Sequence, residues 1–297
     1  MVGTWTMLDG RGAVRVAGPD ARDFLQRVIT QDVALVGPAR AAWGALLTPQ
    51  GKFLHEFFLV EHDGALLLDG EATRCADLAQ RLSRYRLRAQ VTVTPEPAFA
   101  VAAAWGDGAA AALGLPAGRG AARPFAGGIA FNDPRREGLG SRVLAPREGL
   151  PTAMAAAGLT GGDHAGWDRM RLASAVPDGS RDIEIDKSVL LEANFDLFDG
   201  IDWAKGCYIG QEVTARTRYR GLLKRRLVGV TIDGPVPAPG TPVTLDGREI
   251  GEMRSAAGKR GLALLRLDAL AGTAGSSLCA GDANLLADAL PMAARES

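Results

Sequence analysis

The segment Lys205-Gly-Cys-Tyr-Ile-Gly-Gln-Glu212 holds the residues of this chain best suited to chemistry. Cys207 lies in a turn between Gly206 and Gly210, just ahead of a helix predicted over 211–218. A cation two residues away and a helix N-terminus both favour a thiolate, so Cys207 is a candidate functional thiol and Lys205 its support. The two glycines permit backbone angles that present the sulfur outward. The competing reading is a small buried hydrophobe, the commonest state of a free cysteine. Downstream, Arg216, Arg218, Arg220, Lys224, Arg225 and Arg226 form a basic run with no acid between Glu212 and Asp233. It reads as a solvated face, or as a site for the carboxylates of a small ligand, an acidic partner protein or RNA. Little aromatic interleaving beyond Tyr219 argues against a single-strand RNA platform.

The elements that position these residues follow from periodicity. Strands are predicted over 12–17, 42–47, 52–60, 65–69 and 90–94. Helices are predicted after Asp20, with Phe24, Leu25, Val28 and Ile29 on one face, and through Cys75, Leu78, Leu82 and Tyr85. Strands and helices in this order predict an α+β fold rather than a doubly wound sheet. Pro95-Glu-Pro97 marks a seam between two lobes. Beyond it, strands are expected over 98–105, 125–131 and 141–145, with helices near 107–113 and 148–157. Asp163 caps a helix carrying Trp167, whose plain reading is a core residue on an amphipathic face. After Gly221 the texture becomes all-β, with strands over 224–232, 242–245 and 261–267 and an Asp246-Gly247 hairpin signal. The expected domains are therefore 1–221, in two lobes, and an all-β domain over 222–297.

Composition bounds the function. A chain of 297 residues with 34 basic and 34 acidic side chains and 47% hydrophobic residues is neither a disordered tail nor a globally basic nucleic-acid binder. No run approaches the ~20 apolar residues of a membrane helix, and the first residues lack an export signal. With three dispersed cysteines in no CxxC pair, this predicts a reducing, cytoplasmic location. His55, His62 and His164 add no zinc spacing, and three cysteines fall short of an iron–sulfur ligand set, so no metal site is expected. GxGxxG, Walker and GxSxG signatures are missing.

Lys205 through Glu212 resembles the KGCYxGQE signature of the YgfZ-type folate-binding proteins, relatives of the glycine cleavage T-protein. Glu192-Ala-Asn194, Asp196, Arg216 to Gly221, Gly18-Pro-Asp20, Phe24-Leu-Gln26, Thr30-Gln-Asp-Val33 and Leu47-Thr-Pro-Gln-Gly-Lys52 fit the same family. The resemblance implies T-protein-like lobes around a central hole, with a small C-terminal β-barrel. It implies a tetrahydrofolate-binding accessory protein for assembly or repair of [4Fe–4S] proteins, radical-type tRNA-modifying enzymes among them, with Cys207 as the working thiol. It implies a tetrahydrofolate or derivative as ligand; the cysteine count, the apolar runs and the sparse aromatics of the sequence itself lead to the expectation of no cluster of its own, no membrane and no direct nucleic-acid partner.

Position by position, Trp167 matches one of two folate-contacting tryptophans, while Arg11 stands where the other is expected; Trp43 or Trp203 would have to replace that stacking. Arg171 matches an arginine of the T-protein and is a candidate either for anchoring a folate carboxylate or for a structural role; Asn194 is a further candidate contact. Glu56 occupies the place of the T-protein's catalytic aspartate. Its longer stem weakens an aminomethyltransferase reading, in which it acts as general base. The plain reading of Glu56 is a solvated strand residue. The resemblance thus implies a maturation factor with little or no turnover, or else a folate-dependent one-carbon transferase; the remaining alternative is a module that docks RNA or protein through the 216–226 basic run.

Overall fold

The computed structural model describes residues 3–270 and 278–289. By contact the chain forms two compact units, 1–48 with 54–167 and 198–209, and 49–53 with 168–197 and 210–297.

The first unit is built on two sheets. Strands Ala42–Leu47, Phe53–His62, Ala65–Glu71, Arg11–Ala17 and Thr92–Pro95 form the first, in that spatial order. Phe53–His62 is buried over its first eight residues, so it reads as a continuous apolar run instead of an alternating one. Its two faces nevertheless differ. Phe57 and Leu59, with Val14, Val16, Leu66 and Leu68, pack against Phe24 and Leu25 of helix Ala21–Gln26. Cys75, Leu78, Ala79 and Leu82 of helix Cys75–Arg84 complete that core, at the spacing of one helical face. The expected cap Asp20 makes no capping bond; its carboxylate instead accepts the Gln90 N–H at 2.7 Å.

The second sheet runs Thr160–Gly161, Thr4–Met7, Phe99–Trp105, Ser141–Pro146, Gly128–Asn132 and Ala122–Phe125. Sequence reading missed Thr4–Met7, which pairs antiparallel with Phe99–Trp105 beyond the 95–97 seam. The strand expected over 125–131 is two strands. Ala126 and Gly127 take φ of 52° and 74°, the pair of positive angles that a two-residue hairpin turn needs. Alanines 100, 102, 104, 130 and 145 pack on helices Ala109–Ala112 and Leu150–Ala156. Phe58 of the first sheet meets Phe131 of the second, with ring centroids 5.8 Å apart.

The second unit contains a closed barrel of Arg225–Asp233, Arg260–Arg266, Arg248–Ala257, Pro242–Leu245, Leu278–Ala280 and Ala283–Ala287. Arg225–Asp233 closes it by pairing with strands on both sides, which leaves no edge free for intermolecular pairing. Val228, Val230, Ile232, Val243, Met253 and Leu265 fill it. A cut at 221 leaves 168–197 and 210–221 with the N-terminal region, although by contact they group with the barrel. The expected domain 222–297 includes 271–277 and 290–297, which lie outside the described residues.

Candidate functional site

Cys207 is exposed and free. The loop bearing it is tied down on both sides. Before it, Thr30 Oγ1 donates to the Gly200 carbonyl at 2.7 Å and the Asp202 N–H to the Thr30 carbonyl at 3.0 Å. Asp202 Oδ1 accepts the N–H groups of Ala204 and Lys205 at 2.8 and 2.9 Å. After it, Tyr208 is buried and Ile209 packs on the core of the first sheet. The thiol therefore stands at the tip of a fixed loop.

Lys205, the expected support of the thiol, makes its hydrogen bonds to backbone carbonyls. Its buried ammonium donates to the carbonyls of Ile29 at 2.8 Å and Gln31 at 2.6 Å, and lies 5.5 Å from the Tyr208 ring centroid. Burial pulls its pKa down to about 8, against the charges of Asp32 and Asp202. That ammonium is committed to two backbone carbonyls, and leaving them unpaired would cost their buried hydrogen bonds. Lys205 is thus the loop's internal anchor. Cys75 is the opposite kind of thiol: buried, bonded to the Glu71 carbonyl, and pushed up to about 11 by burial, with Asp69 adding and Arg11 opposing.

Glu56 is not solvated; it is 2% exposed and belongs to an ionic cluster inside the first unit. Its Oε1 accepts from Arg11 Nη1, and its Oε2 accepts the Trp43 indole N–H at 2.6 Å. Arg11 also donates from Nε to Asp69 Oδ1 at 2.7 Å, and Arg142 donates to Asp69 Oδ2 at 2.7 Å. Asp133 and Arg135 pair beside them at 2.8 Å. Burial raises the Asp133 carboxyl, but Arg135 and Arg142 outweigh it and hold the group below its ordinary value. The guanidinium carbons of Arg142 and Arg135 stand 4.0 and 4.8 Å from the Phe58 ring centroid. Such a cluster is stable only while each buried charge keeps its partner.

These contacts correct several expectations. Both oxygens of Glu56 accept hydrogen bonds inside the cluster, so taking up a substrate proton as general base would neutralise one side of a buried ion pair. Arg11 is an internal ion-pair partner. Trp43 is buried, bonded to Glu56 and 5.4 Å from the Arg135 guanidinium, and is not free to replace the missing stacking partner. Trp167 is 3% exposed, 5.9 Å from the Trp105 ring and 5.7 Å from the Arg142 guanidinium, as its plain core reading predicts. Sequence reading did not single out Asp69, Asp133, Arg135 or Arg142. Their signal was there, in charged residues closing or interrupting apolar strand runs such as Leu66-Leu-Leu-Asp69.

In the second unit, Arg171 is 1% exposed and donates to Asp168 Oδ1 at 2.6 Å, Asp182 Oδ2 at 2.9 Å and the Val176 carbonyl at 2.9 Å. Its Nη2 has no hydrogen-bond partner. Asn194 adopts φ 64°, donates to the Leu227 carbonyl and accepts from Arg226, both at 2.9 Å. Its amide is thereby spent on the barrel's first strand instead of on a ligand. The basic run is partly neutralised, since Arg225 pairs with Glu192 at 3.1 Å and Arg226 with Asp196 at 2.9 Å.

The two sheets and the barrel define the class. The chain aligns with the glycine cleavage system aminomethyltransferase T of Bartonella henselae at TM-score 0.79, covering 98% of this chain and 86% of that one. At 16% identity this likeness is one of fold. Residues 224–292 match the family described as the CAF17 C-terminal beta-barrel domain. Two relatives named as the mitochondrial iron–sulfur cluster assembly factor IBA57 are more similar in sequence. The mouse protein is 34% identical over 90% of this chain and 79% of its own length, and the human protein 35% over 87% and 76%. The chain belongs to this family of IBA57-type iron–sulfur cluster assembly factors. The same relatives, and one from Pyricularia oryzae, are named mitochondrial, which overturns the expected cytoplasmic location.

Proposed function

We propose that this chain assembles or repairs [4Fe–4S] clusters on client proteins, radical-type tRNA-modifying enzymes among them, using Cys207 as its working thiol. The observation that carries the reading is an exposed cysteine at the tip of a loop fixed by Lys205, Asp202 and Tyr208. A thiolate is a soft ligand for iron and a nucleophile toward sulfur, and either use requires the exposure that Cys207 has and Cys75 lacks. The finer YgfZ-type label belongs to the same proposal, on the Lys205–Glu212 signature.

A tetrahydrofolate ligand is part of the proposal on the strength of the N-terminal motifs. The residues expected to hold it fit poorly. Arg11 and Asn194 bond within the protein and Trp167 is core, whereas the buried Arg171 Nη2 has no hydrogen-bond partner.

The deciding experiment deletes the gene and measures a [4Fe–4S] enzyme after returning wild type or Cys207→Ser at equal protein levels. Rescue by wild type alone is expected; equal rescue would overturn Cys207 as the working group. Calorimetric titration with tetrahydrofolate tests the ligand separately. Saturable heat is expected, and none would remove folate while leaving the thiol reading intact.

A further inference from the structure

Within the first unit, an open groove of about 880 Å³ lies between helix Ala21–Gln26 and the loop that follows helix Cys75–Arg84. Its floor is apolar, formed by Phe24, Val28, Tyr85, Ala89 and Ile209, all part of or packed against the core of the first sheet. Its rim carries Arg27, Arg86 and Arg88, all exposed. Arg27 Nε donates to the Asp23 carbonyl and Arg86 Nη1 to the Val91 carbonyl, both neutral acceptors. Among the described residues none of the three arginines is paired with a carboxylate. Of the two acids on the rim, Asp20 already accepts the Gln90 N–H.

Between Arg86 and Arg88 stands Leu87, 90% exposed and at φ 47°, a left-handed backbone that a leucine rarely takes. An exposed leucine flanked by uncompensated arginines, beside an apolar floor, has the make-up of a binding surface. Ile209 ties the groove to the thiol. It is two residues from Cys207, so their Cα atoms lie within about 7.6 Å.

We infer that this groove docks an acidic segment of the client protein, whose carboxylates meet Arg27, Arg86 and Arg88 and whose apolar side chains meet Leu87 and the floor. Docking there brings the client beside Cys207. The inference rests on the proposed role of that thiol, yet its test does not pass through cluster assembly.

The probe is a synthetic peptide of alternating glutamate and leucine bearing a bromoacetyl group, with bromoacetamide as the untargeted control. Alkylation forms the cysteine thioether and releases bromide; Cys279, half-exposed in the barrel, serves as internal reference. Docking predicts that the full chain alkylates at Cys207 at least about ten-fold faster with the peptide than with bromoacetamide, with no such gain at Cys279. The gain should vanish in Arg86→Glu/Arg88→Glu and fall in Leu87→Ser, while both variants keep the wild-type rate with bromoacetamide. Both changes are at exposed side chains, and circular dichroism checks that the variants fold. Equal gains in wild type and variants, or an equal gain with a lysine–leucine peptide, would overturn the inference. So would a dimer abolished by the same charge reversals, which would assign the groove to a second copy. If the peptide gain holds but Cys207→Ser still rescues clusters, the docking inference stands and the thiol's proposed role fails.

Discussion

Cys207 and Lys205 are two residues apart, and one faces solvent while the other is buried. The lysine's long stem lets its ammonium reach back to the Ile29 and Gln31 carbonyls, so the fold uses it to hold the loop and leaves the sulfur free. His55 belongs to the same class of buried polar residue. Burial pulls its pKa down to about 4; Arg74 adds to the effect, and a 2.9 Å contact with Asp77 opposes it. In the folded protein the imidazole stays neutral where the unfolded chain, near its ordinary 6.5, takes up a proton. Its contribution is therefore fully present above pH 6.5 and lost as pH falls toward 4, by on the order of 3 kcal/mol. Urea unfolding across that window should show the loss in wild type and a flatter profile in His55→Gln; parallel profiles would contradict it.

At the scale of elements, tight turns carry more of the specification than their length suggests. Gly51 ends the turn between strands Ala42–Leu47 and Phe53–His62 at φ 73°. A Cβ there would stand 2.9 Å from Val213 Cβ and 3.1 Å from the Gly210 carbonyl, at the start of helix Gln211–Tyr219. Gly51→Ala combines a disfavoured backbone with a backbone-side collision. It should cost about 2 kcal/mol, read as a lowered urea midpoint. Sequence reading recognised Thr48-Pro-Gln-Gly51 as a turn, but its packing partner lies some 160 residues further along the chain, beyond the reach of periodicity.

For the whole molecule, contacts divide the chain differently from composition. Glu192, Asn194 and Asp196 reach Arg225, Leu227 and Arg226 on the first barrel strand, so 168–197 depends on residues after 221. A fragment of residues 1–221 should keep the first sheet protected from hydrogen exchange. Protection over 168–197 should fall on the order of 100-fold, equivalent to about 3 kcal/mol. Undiminished protection there would show that the segment is independent of the barrel.

Most elements were legible because their signals are local. Alternation and apolar runs marked the strands at 12–17, 42–47, 65–69 and 242–245, and the 75, 78, 82 spacing marked a helix. The Cys207 motif was equally legible, as a run of consecutive residue types. Thr4–Met7 was not, because four residues make no period and its pairing with Phe99–Trp105 is distant. The fates of Glu56, Arg11, Lys205 and Asn194 also lay beyond the sequence. A residue type states what a side chain can donate or accept, whereas its partner is whatever the fold packs against it. The chain by itself determined the α+β layers, the all-β texture after Gly221 and the cysteine to examine. Only the tertiary structure decided that Glu56 is locked between Arg11 and Trp43 and that Cys207 is exposed, because burial and long-range pairing depend on segments brought together by folding.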